Sequence, residues 1–96
     1  MCKYETVILL KPSLSEDDIQ KVKTEVENKI NTVGKVIKKE DIGKKKLAYE
    51  IQENKEAYYV IYEYETYKSS KESVNKIETF YRTIEEILKF ITVRED

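Results

Sequence analysis

The sequence predicts an α+β fold, a ferredoxin-like βαββαβ sandwich in which a four-stranded antiparallel sheet carries two helices on one face. Four segments rich in β-branched and aromatic residues have strand character, and two segments between them repeat their apolar residues at steps of three and four. Their order is strand, helix, strand, strand, helix, strand, and right-handed connections then place both helices on the same side of the sheet. The chain has 96 residues, so residues 1–96 are expected to form one domain with one main core.

The first strand spans residues 3–10 (KYETVILL) and ends at Lys11-Pro12-Ser13. Alternation puts Tyr4, Thr6, Ile8 and Leu10 on one face and Glu5, Val7 and Leu9 on the other. Ser15 stands where an N-cap belongs, and Glu16, Asp17 and Asp18 suit the positive end of the helix dipole. Ile19, Val22, Val26, Ile30 and Val33 then form one apolar stripe, and Gly34 is expected to close the helix in a left-handed conformation. Residues 35–51 read as a long strand interrupted at Gly43, where a bulge is expected. Residues 52–55 form a polar turn, and residues 56–66 (EAYYVIYEYET) return as a strand. That strand sets Tyr58, Val60, Tyr62 and Tyr64 against Tyr59, Ile61, Glu63 and Glu65. A second helix from Ser70 to Tyr81 places Val74, Ile77 and Tyr81 at helical spacing, with Phe80 beside them. The last strand, residues 87–94, sets Leu88, Phe90 and Thr92 against Lys89, Ile91 and Val93.

Composition removes several functions. There are 18 basic and 19 acidic residues, a net charge of −1, so coating nucleic acid by bulk charge is excluded and any binding must come from local clusters. There is no histidine, which removes imidazole-based triads and the commonest metal ligand. The one cysteine, Cys2, can form neither an internal disulfide nor a CxxC pair, and it is expected to be solvent-accessible without a role. The first strand-to-helix connection, residues 11–15, lacks the glycines of a phosphate-binding loop. No enzyme, cofactor, metal or small-molecule substrate is expected. No apolar stretch approaches a membrane span of roughly 20 residues, and no secretion signal stands at the N-terminus, so a cytoplasmic protein without a membrane partner is expected.

Two features remain once the core is assigned. Lys35, Lys38, Lys39, Lys44, Lys45 and Lys46 crowd the second strand. Lysines there fit first an edge strand that resists edge-to-edge pairing; the sharper reading is a strip that follows phosphates, with Tyr49 as a stacking or hydroxyl donor. The sheet face away from the helices mixes Glu5, Glu63, Glu65 and Lys89 with Val7, Leu9, Tyr59, Ile61, Ile91 and Val93. An apolar patch with a charged rim marks a protein-binding surface.

The strings Met1-Cys2-Lys3-Tyr4-Glu5, residues 12–19, Gly43-Lys44-Lys45-Lys46-Leu47-Ala48-Tyr49-Glu50-Ile51 and Ile87-Leu88-Lys89-Phe90-Ile91-Thr92-Val93-Arg94 occur in this order. Together they resemble the bacterial small-ribosomal-subunit protein six family over essentially the whole chain. The resemblance implies a structural constituent of the small subunit that binds the central domain of small-subunit ribosomal RNA together with small-subunit ribosomal protein eighteen. Matched by motif, Lys3, Lys44, Lys45, Lys46, Tyr49 and Arg94 are the expected RNA-binding residues. The apolar face is expected to take the partner protein through Val7, Leu9, Tyr59, Ile61, Ile91 and Val93. The chain departs from the family at Cys2, where a basic residue is usual, and at Ile42, where tryptophan is common. Two alternatives share the fold. One is an RNA-recognition-motif-like binder of single-stranded RNA, echoed in residues 55–62 (KEAYYVIY) with Tyr59 facing outward. The other is a protein-assembly or regulatory module without RNA.

Overall fold

The structure, a computed structural model, describes residues 2–67 and 71–95. The elements are β1 (Cys2–Leu10), α1 (Glu16–Asn31), β2 (Gly34–Ile51), β3 (Asn54–Thr66), α2 (Lys71–Thr83) and β4 (Ile87–Arg94). The strands form one sheet in the order β2-β3-β1-β4, and every neighbouring pair is antiparallel. This is the expected ferredoxin-like sandwich. The expected helix start at Ser70 lies outside the described residues, as does Met1 of the N-terminal string.

Alternation decides which side chains enter the core. Tyr4, Ile8 and Leu10 of β1 meet Val60, Tyr62 and Tyr64 of β3, and beneath them lie Val22, Val26 and Ile30 of α1 and Ile77 and Tyr81 of α2. Each such side chain, fully buried, contributes roughly 2 kcal/mol from loss of contact with water. Tyr4 and Tyr64 stack at 5.5 Å between ring centroids, and Tyr81 meets Phe90 edge-on at 5.1 Å. Thr6, the polar member of the β1 row, shares a 3.0 Å hydrogen bond between hydroxyls with Thr92 across the β1–β4 ladder. Cys2 belongs to the same row. It is buried in the main core, contrary to the accessible position expected of it, because β1 begins one residue earlier than residues 3–10 suggest.

Polar contacts tie β2 to α1. Lys23 of α1 reaches Asp41 at 2.8 Å, and Lys39 of β2 reaches Glu27 at 3.2 Å. The Tyr62 hydroxyl donates to Glu27 at 3.0 Å, and burial, together with that carboxylate, raises its pKa far above the ordinary phenol value. The start of α1 follows its sequence signal: the Ser15 hydroxyl oxygen accepts the Asp18 backbone N–H at 3.2 Å.

The helix does not end as expected. Thr32 is its C-cap, in the right-handed region, and Gly34 is already the first residue of β2. Gly34 is required for space rather than for a left-handed turn. A Cβ there would fall onto the Glu65 carbonyl, well inside van der Waals contact, and 2.8 Å from the Thr66 Cα. Gly43 is the reverse case: it lies at the expected bulge with φ +92° and open space around it. The β2–β3 turn places Gln52 and Glu53 at φ 48° and 66°, the paired positive values of a two-residue hairpin loop, and the Asn54 amide steadies it by donating to the Ile51 and Gln52 carbonyls.

A register shift between Leu9 and Leu10 in the β1–β4 ladder moves Leu88. The strand pattern expects it beside Phe90 on the helix face. It packs on the opposite face with Leu9 and Ala57, in a second small cluster covered by Val7, Leu47, Ile51 and Tyr59. At the other end of that face Glu5 stands directly across from Glu63. Hydrogen bonding to the Glu5 carboxyl, then partial loss of hydration and the Glu63 charge, raise the Glu95 pKa above 4.5.

Three substitutions test this account. Gly34→Ala must displace the β3 backbone and is expected to cost about 3 kcal/mol in urea unfolding. Gly43→Ala has room and is expected to cost about 1 kcal/mol, for its positive φ alone. A raised Glu95 pKa means that the carboxyl's stabilising contribution is present below pH 4.5 and is lost as pH rises through the raised value. Glu95→Gln is therefore expected to raise the thermal midpoint at pH 7 and to leave it unchanged at about pH 3, where the carboxyls are protonated.

Candidate nucleic-acid and protein interface

Directly paired residues of an antiparallel ladder project from the same face, so the register lays out the helix-free face row by row. One row runs Val93, Glu5, Glu63, Lys38 across β4, β1, β3 and β2; the next runs Ile91, Val7, Ile61, Glu40; the third runs Lys89, Leu9, Tyr59, Gly43. The middle row is apolar across three strands. Ile91 and Val93 are 49% and 51% exposed, and Val7 and Ile61 are half-buried. These four form one accessible apolar patch bordered by carboxylates.

The other two members of the expected protein-binding set differ. Leu9 is only 5% exposed and belongs to the second cluster, and Tyr59 packs half-buried against it. The chain covers that part of the sheet itself. From Lys46 to Ile51, β2 takes five residue steps while its partner β3 takes two, from Glu56 to Asn54. The excess of three residues lets β2 bow outward over residues 47–50. Leu47 and Ile51 pack onto Leu9, Ala57 and Leu88, residues from β1, β3 and β4. Residues 44–51 thus form an arm laid over one end of the face. Tyr59, beneath this cover, does not present a free ring for stacking a base.

The arm carries the basic block. Lys44 and Lys46 stand opposite Tyr58 and Glu56, on the helix side, whereas Lys45 stands opposite Ala57, on the helix-free side. All three are exposed, and among the described residues none has a carboxylate within ion-pairing distance. The upstream lysines differ: Lys39 is paired with Glu27, and Lys38 lies 3.8 Å from Glu40. β2 is an edge strand, so its lysines also meet the requirement for a protected edge.

The six expected RNA-binding residues do not converge. Lys3 stands opposite Glu65, and Arg94 opposite Tyr4. The lysine block lies at the level of Leu10 and Tyr58, six residues farther along β1 than Tyr4, or roughly 20 Å. Tyr4, which shares the N-terminal string, is a core residue. Tyr49 is 65% exposed on the arm and meets Lys89 of β4: the ammonium lies 3.4 Å from the phenol oxygen and 5.9 Å from the ring centroid. Sequence reasoning assigned Lys89 no role. Strand alternation reports the face a side chain occupies but not which distant segment bows over to meet it.

Among the described residues no group of three or more His, Cys, Asp or Glu side chains is placed to hold a metal ion, and no helix is long and apolar enough to cross a membrane.

Comparison with known proteins agrees with this fold. Residues 3–94 match the family described as Ribosomal protein S6. The chain is 38% identical over 97 residues to small ribosomal subunit protein bS6 of Flavobacterium johnsoniae, covering all of this chain and 83% of that protein. It is 31% identical to the bS6 protein of Heliobacterium modesticaldum, covering all of this chain and 98% of that one. The crystal structure of 30S ribosomal protein S6 from Thermotoga maritima superposes with a TM-score of 0.87 at 27% identity, covering 98% of this chain and 87% of that one. With this agreement in sequence, length and topology, the chain belongs to the ribosomal protein S6 family of the small ribosomal subunit.

Proposed function

We propose that residues 1–96 act as a single scaffold domain that binds the central domain of small-subunit ribosomal RNA together with small-subunit ribosomal protein eighteen. In this reading the chain is ribosome-associated in the cytoplasm and performs no catalysis. One observation carries it: an apolar row left open on the sheet, beside an arm whose three lysines have no carboxylate partner among the described residues.

Lys44, Lys45 and Lys46 neutralise backbone phosphates and release counterions. Tyr49 adds a donor. Helical RNA has a major groove too narrow for side chains, so such contacts follow the backbone and the shallow groove. Lys3 and Arg94, at the far end of the sheet, touch a separate stretch of the RNA. The partner protein covers Val7, Ile61, Ile91 and Val93, with Tyr59 at the border of the arm and Leu9 supporting the surface from beneath. Three lysines alone give weak and unspecific affinity. Specificity comes from the folded RNA and from the protein pair that fits it.

Titrating a central-domain transcript with the chain alone, and with the chain mixed with protein eighteen, tests this division. The pair is expected to bind tightly and the chain alone feebly. Changing Lys44, Lys45 and Lys46 together to Gln is expected to reduce the slope of log K against log salt by roughly 2 to 3. An unchanged slope, or tight site-specific binding by the chain alone, contradicts the proposal.

A further inference from the structure

Tyr49 and Lys89 lie 40 residues apart on the two outer strands of the sheet, and the bow in β2 brings them together. We propose that this pair forms a phosphate-binding clasp for the RNA backbone, with Lys89 an RNA-contacting residue beside the lysine block. This rests on the RNA-binding reading above and deepens it.

The donor chemistry carries the inference. Lys89 Nζ has three N–H groups and lies 3.4 Å from the Tyr49 phenol oxygen, so at most one is directed at that oxygen. The tyrosine proton is not used in that contact and is free to donate elsewhere. Two donors, one of them charged, therefore stand within reach of a single acceptor such as a phosphodiester oxygen. Among the described residues no carboxylate lies within ion-pairing distance of Lys89, whereas Lys23 and Lys39 are both paired. The charge is thus held in position and left unneutralised. Lys45 projects from the same face, so the clasp continues the positive surface of the arm.

The clasp is in place before the ligand arrives. Leu47 and Ile51 hold the arm on Leu9, Ala57 and Leu88, so the tyrosine is carried by an anchored segment rather than by a free loop. Anchoring lowers the ordering cost on binding. Because burial holds the arm and the exposed Lys–Tyr contact is weak, replacing either partner leaves the arm seated.

A double-mutant cycle on the full chain bound to protein eighteen tests the clasp, with a central-domain transcript as the probe. Tyr49→Phe and Lys89→Gln are each expected to weaken RNA binding by roughly five- to ten-fold. The double variant is expected to lose much less than the product of the two, because both act on one phosphate. Lys89→Gln lowers the salt slope by roughly 1 and Tyr49→Phe leaves it unchanged; Lys89→Arg retains most of the affinity. Thermal midpoints close to that of the parent chain show that the arm remains seated. Unchanged RNA binding in both single variants overturns the clasp, as do fully multiplicative losses or losses traced to weaker binding of protein eighteen. If Lys44→Gln with Lys46→Gln still weakens RNA binding in that case, the broader reading survives. If that pair also has no effect, the RNA-binding reading fails with it.

Discussion

An antiparallel sheet with both helices on one side has a second face that must be wetted, covered or shared. Everything distinctive about this chain follows from how it divides that face. The helix side is closed by α1 and α2 over Tyr62, Tyr64 and Ile8. On the other side the chain covers only the end around Leu9, Ala57 and Leu88, using its own bowed strand. The row of Ile91, Val7 and Ile61 is left uncovered by the chain itself.

The bulge at Gly43 separates two kinds of lysine. Before Gly43, β2 runs close along α1, and its charges settle into pairs such as Lys39 with Glu27 that fasten strand to helix. Beyond Gly43 the strand leaves the reach of helix carboxylates, and Lys44, Lys45 and Lys46 keep their charge unspent. A net charge of −1 conceals this arrangement, because several acids are placed at the opposite end of the open face, where Glu5, Glu63 and Glu95 gather.

Fold and faces were legible in the sequence because both rest on periodicity. The α1 stripe, the Ser15 cap, the Gly43 bulge and the alternation of β3 are local patterns with one physical solution each. What escaped was lateral. Cys2 enters the core because β1 is longer by one residue, and Leu88 changes sides at a register shift. Gly34 answers to a strand 31 residues downstream, which no helix-end pattern reports. At the candidate site, residue types and faces could be read, but not the offset of roughly 20 Å along the strands between Arg94 and the lysine block, nor the meeting of Tyr49 with Lys89. The separation follows from strand register and the meeting from three surplus residues of β2, and both are visible only once the partner strands are known.

The central claim is that the bare flank of the sheet, rather than the helical side, faces the assembly. Hydroxyl-radical footprinting of side chains, compared between the free chain and the chain within assembled small subunits, tests it most directly. The account requires Ile61, Ile91 and Val93 to lose reactivity on assembly while exposed positions of α2 such as Lys76 and Thr79 keep theirs. Protection confined to the helices, with the three aliphatic side chains as reactive as in the free chain, would contradict it.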